Sequence, residues 1–96
     1  MTDKLKEFDV EYLFKAILTL NTLEECYSFF DDLCTVPELK ALSQRIHVAR
    51  MLTDKKVYSD IVAKTGASTA TISRVNRSLS YGNDGYSIVF ERLESK

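Results

Sequence analysis

The sequence predicts an all-α protein of about six helices. Glycine occurs three times and proline once in 96 residues. Apolar residues recur at three-and-four spacing almost throughout, and no segment alternates as a half-buried strand does. The length suits a single domain, residues 1–96, whose small core would gain from burial against a second subunit.

The elements follow in order. Val10, Leu13, Phe14, Ile17 and Leu18 form the stripe of a helix over 8–20. Leu23, Cys26, Tyr27, Phe30, Leu33 and Cys34 form a second, over 23–34. Leu39, Leu42, Ile46, Ala49 and Leu52 form a third, over 36–54. Thr22 with Glu25, and Thr35 with Glu38, have the spacing of capping boxes, and Pro37 suits a first turn, which needs no donor from it. Shorter helices are predicted over 58–65 and 69–79. Asn83-Asp84-Gly85 opens the last, over 85–94, with Tyr86, Val89, Phe90 and Leu93 inward. Phe8, Tyr12, Phe14, Tyr27, Phe29 and Phe30 crowd the first two helices. Apolar surface on more than one side of a helix asks for a partner, so segment 8–34 is the expected dimer interface.

Several function classes find no support. The charged start, Met1 to Glu7, lacks the apolar core of a signal peptide, and no run of 18 or more apolar residues would span a membrane; a cytoplasmic location is expected. Cys26 and Cys34, eight residues apart on an apolar stripe, read as buried free thiols of a reducing compartment, with redox sensing as the alternative. No metal-ligand cluster accompanies them or the lone His47. No phosphate loop or nucleophile–histidine–acid set points to an enzyme, and no cofactor is expected.

The net charge of −1 conceals segregation. Residues 40–80 hold eight basic side chains (Lys40, Arg45, Arg50, Lys55, Lys56, Lys64, Arg74, Arg77) against Asp54 and Asp60, whereas the rest of the chain holds five basic against twelve acidic. Such asymmetry marks a local site for a polyanion.

Within the basic segment lies the most informative stretch, residues 58–79. Ile61 and Val62 sit in a short helix ended by Gly66, which can take the positive φ of a sharp exit. Ala67 is small enough to sit under the turn, and Ser68 is a good N-cap. Ile72, Val75 and Leu79 make an inward face. Thr69, Ala70, Thr71, Ser73, Arg74, Asn76 and Arg77 are small, polar or basic. This is the composition of a recognition helix: short residues at its N-terminal end enter a major groove about 12 Å wide, basic ones neutralise phosphates, and the helix N-terminus favours an anion. The candidate DNA-binding residues are therefore Ser59, Lys64, Ser68, Thr69, Ala70, Thr71, Ser73, Arg74 and Arg77.

The run Gly66-Ala-Ser-Thr-Ala-Thr-Ile-Ser-Arg-Val-Asn76 resembles the helix-turn-helix of bacterial repressors, including the lactose-repressor type. The wider chain is similar to the tryptophan repressor superfamily, in its YerC/YecD-like branch. The likeness is clearest from Leu33 to Leu79, through Glu38, Ala41-Leu42, Arg45, Ala70-Thr-Ile-Ser-Arg74 and Ser78-Leu79. It implies an intertwined all-helical homodimer setting two recognition helices in successive major grooves of a palindromic duplex. It also implies an effector pocket at Thr35, Arg45, Arg74, Val75 and Ser78. The position after the second pocket arginine is glycine in the tryptophan repressor and Val75 here, so tryptophan is not the expected corepressor. Two basic residues of the repressor's first motif helix are Ser59 and Val62 here, which alters its phosphate contacts. A protein-interaction adaptor using the helix-turn-helix as a scaffold is the alternative function, since a fold does not dictate an activity.

Overall fold

The computed structural model describes residues 9–95, among which there are six α-helices and no strand. The expected helix start at residue 8, Phe8 of the aromatic cluster and the charged segment Met1 to Glu7 lie outside the described residues. The chain divides between Val36 and Pro37 into two compact units.

The first unit carries α1 (Val10–Ile17) and α2 (Leu23–Leu33). α1 ends earlier than its apolar stripe predicts. Thr19 and Leu20 turn their amides back to the Ala16 and Ile17 carbonyls at 3.1 Å, and Thr19 Oγ1 donates to Ala16 O at 2.7 Å. These three-residue closures replace the next helical bonds and stop the helix. α2 starts at a modified capping box. Thr22 Oγ1 accepts from Glu25 N at 3.1 Å, and Glu25 Oε1 accepts from the amide of Asn21, one residue before the cap, at 2.7 Å. The rings of Phe29 and Phe30 meet edge to face with centroids 5.4 Å apart, a favourable quadrupole geometry.

The predicted inward stripes of α1 and α2 hold no buried residue, with Leu13, Ile17, Cys26 and Phe30 half-buried. Leu18 is 82% exposed, Tyr12 77% and Tyr27 76%. Cys26 and Cys34 are free thiols, half-buried rather than buried. The amphipathic pattern is correct for a helix, but a pattern does not say whether the covering surface lies in the same chain.

The second unit holds α3 (Val36–Thr53) from Pro37 onward, α4 (Tyr58–Thr65), α5 (Thr69–Tyr81) and α6 (Gly85–Glu94). Its core is Val48 and Ala49 of α3, Ile61 of α4, Ala67 of the turn, Ile72 and Val75 of α5 and Phe90 of α6, with Met51, Leu52, Leu79 and Tyr86 against it. Val48 is fully buried although it stands off the predicted stripe, whereas Leu42 and Ile46, on the stripe, remain 46% and 37% exposed. Ala49 and Leu52, at the C-terminal end of the predicted stripe, pack with Val48 in the core, whereas Leu42 and Ile46 do not. In α6, Phe90 is buried and Tyr86 half-buried, but Val89 and Leu93, expected inward, are exposed. α6 starts after Asp84, which takes a left-handed conformation with no side-chain cap.

Gly82 ends α5 for a steric reason. A Cβ there would overlap the carbonyl oxygen of Ser78, the group that accepts the Gly82 amide at 2.9 Å.

Candidate nucleic-acid interface

The α4–turn–α5 corner is built by four residues acting in sequence. Gly66 takes φ 72°, leaves α4 in the left-handed region and donates its amide to Val62 O at 2.8 Å; a side chain there would cost about 1–2 kcal/mol in backbone strain. Ala67 is 2% exposed beneath the turn. Ser68 caps α5, its Oγ accepting from Thr71 N at 3.1 Å. Thr65 braces the corner from the other side: its Oγ1 donates to Ile61 O at 2.7 Å and accepts from Ala67 N at 3.1 Å.

From this corner α5 presents two unlike faces. Ile72 and Val75 are buried and Leu79 half-buried, while Thr69, Ala70, Ser73, Arg74, Asn76 and Arg77 are exposed. Of the remaining candidates, Ser59, Lys64 and Ser68 are also exposed. Thr71 stands apart. It is half-buried and its hydroxyl accepts from Ser68 Oγ at 3.1 Å, so it is part of the cap as well as of the polar face. Ser68 likewise has its Oγ committed to the cap, leaving Thr69, Ala70 and Ser73 as exposed small residues of α5 outside it.

The implied effector residues are distributed differently. Thr35 lies in the first unit, whereas Arg45, Arg74, Val75 and Ser78 lie in the second. Arg45 is half-buried, and Arg74 and Ser78 are exposed. Val75 is 2% exposed and belongs to the core of the second unit. The sequence pattern puts it on the inward face of α5 and the family resemblance puts it at the pocket; the packing places its side chain in the core.

Two features are not visible in the sequence. Gln44 Nε2 donates to Thr65 O at 3.2 Å and so ties α3 to the end of α4. Arg50 joins α3 to α6, with Nη1 3.0 Å from Glu94 Oε1 and Nη2 2.6 Å from Asp54 Oδ1. Hydrogen bonding to Asp54, then to Glu94, raises the Arg50 pKa, and the same bond holds Asp54 below its ordinary value. The four-residue spacing of Arg50 and Asp54 is the one signal a sequence offers here; the Glu94 bond joins residues too far apart along the chain to be inferred.

An all-helical unit whose capped second motif helix carries a polar, basic face opposite a buried one defines a helix-turn-helix protein. By its sequence the chain belongs to the Trp repressor protein family, which matches residues 9–94. It is 54% identical over 92 residues to a Bacillus subtilis (strain 168) protein named YerC, covering 96% of this chain and 88% of that one. The structure is similar to that of a TrpR-like protein from Eubacterium eligens, at TM-score 0.91 and 63% identity over 96% of this chain and 95% of the other. It is equally similar, at TM-score 0.91 and 52% identity, to a Staphylococcus aureus protein described as a candidate Trp repressor, with coverage of 98% and 94%. Among the described residues no helix is long and apolar enough to cross a membrane.

Proposed function

We propose that the protein is a sequence-specific DNA-binding transcription regulator, acting as a repressor in the cytoplasm, that reads the major groove of a palindromic duplex with α5. The observation that carries this reading is the division of α5. Ile72 and Val75 anchor the helix in the core, so that Thr69, Ala70, Ser73, Arg74 and Arg77 form a rigidly held exposed face. Thr and Ala suit a thymine methyl, Ser and Thr hydroxyls suit base edges, and the arginines suit guanine or phosphate.

The working unit in this reading is a homodimer. The exposed apolar side chains of α1 and α2 supply surface for it in the first unit, and Leu42 and Ile46 of α3 supply surface in the second. Exposed apolar surface of this extent marks an interface. Two recognition helices would then lie about 34–36 Å apart, one turn of DNA.

Tryptophan is not the corepressor in this reading. Val75 already fills its place in the core, and the family's tryptophan-binding member has glycine there. Selection of bound sequences from a random duplex pool tests the whole reading. An enriched palindrome, with affinity falling steeply as salt rises, is the expected result. Salt-insensitive retention or no enrichment would favour the adaptor alternative.

A further inference from the structure

Between α3 and α4, the helix that precedes the recognition helix, lies an open groove of about 580 Å³. Lys40, Ser43, His47 and Arg50 of α3 line one side at three-and-four spacing, and Lys64 of α4 faces them. No carboxylate lines it. Arg50 is matched by Asp54 and Glu94, but no ion pair among the described residues involves Lys40 or Lys64. The groove therefore carries two uncompensated cations. His47 donates from Nδ1 to Ser43 O at 2.8 Å, and the two lysines supply the groove's charge.

The groove is held in place. The Gln44–Thr65 bond fixes the end of α4, and with it the adjacent Lys64, against α3. In helix-turn-helix proteins the first motif helix crosses the sugar–phosphate backbone while the second enters the groove. Here α4 is that first helix, and its end next to Gly66 forms one wall.

We infer that the α3–α4 groove clamps a phosphate of the DNA backbone between Lys40 and Lys64, extending the interface beyond the helix-turn-helix onto α3. The clamp positions the duplex and reads no sequence, because a phosphate is the same at every base pair. It also accounts for the cationic side chain at Lys40, which lies outside the motif altogether. The inference rests on the DNA-binding reading above and is tested separately from it.

The experiment measures affinity against salt for the duplex enriched from the random pool, using the full chain and its Lys40→Gln/Lys64→Gln and Lys40→Arg/Lys64→Arg variants. The glutamine pair is expected to lower the magnitude of the slope of log K on log salt by about 0.9 for each phosphate that is no longer neutralised. It should weaken enriched and scrambled duplexes by the same factor, while the arginine pair retains the wild-type slope. Both substitutions are at exposed positions, and an unchanged circular-dichroism melt confirms the fold. An unchanged slope in the glutamine pair overturns the groove assignment while leaving α5 as the DNA reader. If no duplex is enriched or retained at low salt, the DNA reading and the groove assignment fall together. A second arm titrates inorganic phosphate into DNA-free protein at constant ionic strength. Saturable perturbation of the His47 ring resonances, with matching displacement of DNA, would assign the groove to a free phosphate compound and overturn the backbone clamp; no response beyond that of chloride supports it.

Discussion

The guanidinium carbon of Arg50 lies 5.0 Å from the centroid of the Phe90 ring. Phe90 is 7% exposed and its ring stacks on Tyr86 with centroids 6.0 Å apart. One arginine of α3 thus covers the core side chain of α6 while bonding Asp54, just past the end of its own helix, and Glu94 at the far end of α6. A cation over an aromatic face is held by the ring quadrupole, and the two carboxylates keep the guanidinium from turning to solvent.

This arrangement sets an acid dependence. Asp54 titrates below the ordinary carboxylate value because Arg50 bonds its charged form. A depressed folded pKa stabilises the protein above the unfolded value, about 4, and that stabilisation is lost as pH falls through the lowered folded value. The pair is solvent-exposed, so the effect is small. Melting curves taken from neutral to acid pH should decline less steeply in Arg50→Gln than in the parent. Parallel acid limbs would contradict the assignment.

Val75→Gly removes a side chain that is 2% exposed from the centre of the second unit. The burial forfeited by a valine, about 1.5–3 kcal/mol, adds to the glycine penalty in a helix interior, about 1 kcal/mol. A decrease of about 2.5–4 kcal/mol in denaturant-induced unfolding free energy is expected. The parent should show no saturable tryptophan binding by calorimetry. Micromolar binding coupled to a gain in DNA affinity would refute the proposed absence of a tryptophan corepressor.

Ser73→Glu should abolish binding to the enriched duplex and leave the melting temperature nearly unchanged, since Ser73 is exposed and the α5 cap is made by Ser68 and Thr71. Thr71→Glu should lower both affinity and stability, because it also disturbs the cap at Ser68, where losing a cap costs about 1 kcal/mol. Equal stability of the two variants would show that the Thr71 hydroxyl contributes nothing to the cap.

Gly66→Ala places a Cβ at φ 72° in otherwise open space, so strain alone should appear, about 1–2 kcal/mol. Chemical denaturation measures it. A stabilised variant would show that the turn does not need the left-handed conformation.

Sedimentation at micromolar concentration should find a dimer, and Ile46→Glu, on the 37%-exposed side of α3, should dissociate it while Ser80→Glu does not. A folded monomeric parent would remove the basis for the two-helix reading of DNA.

Much of the helix-turn-helix is legible in the sequence because its determinants are local. Gly66, Ser68 and the Ile72–Val75–Leu79 spacing act within four residues of one another, the range over which capping and helix periodicity operate. The six helices are legible for the same reason, with their ends shifted by a few residues where side chains such as Thr19 close a turn early. The sequence by itself therefore determined which residues are helical, where the corner turns and which face of α5 is polar. Which apolar faces find cover in the chain was decided only by tertiary structure, since Val48 is buried and Ile46 is not although both are apolar residues of α3. The same holds for Arg50 with Phe90 and Glu94, and for Lys40 opposite Lys64 across one groove. Those pairings join residues 24 to 44 positions apart, and helical periodicity states the direction a side chain takes from its own axis but not which other helix lies in that direction.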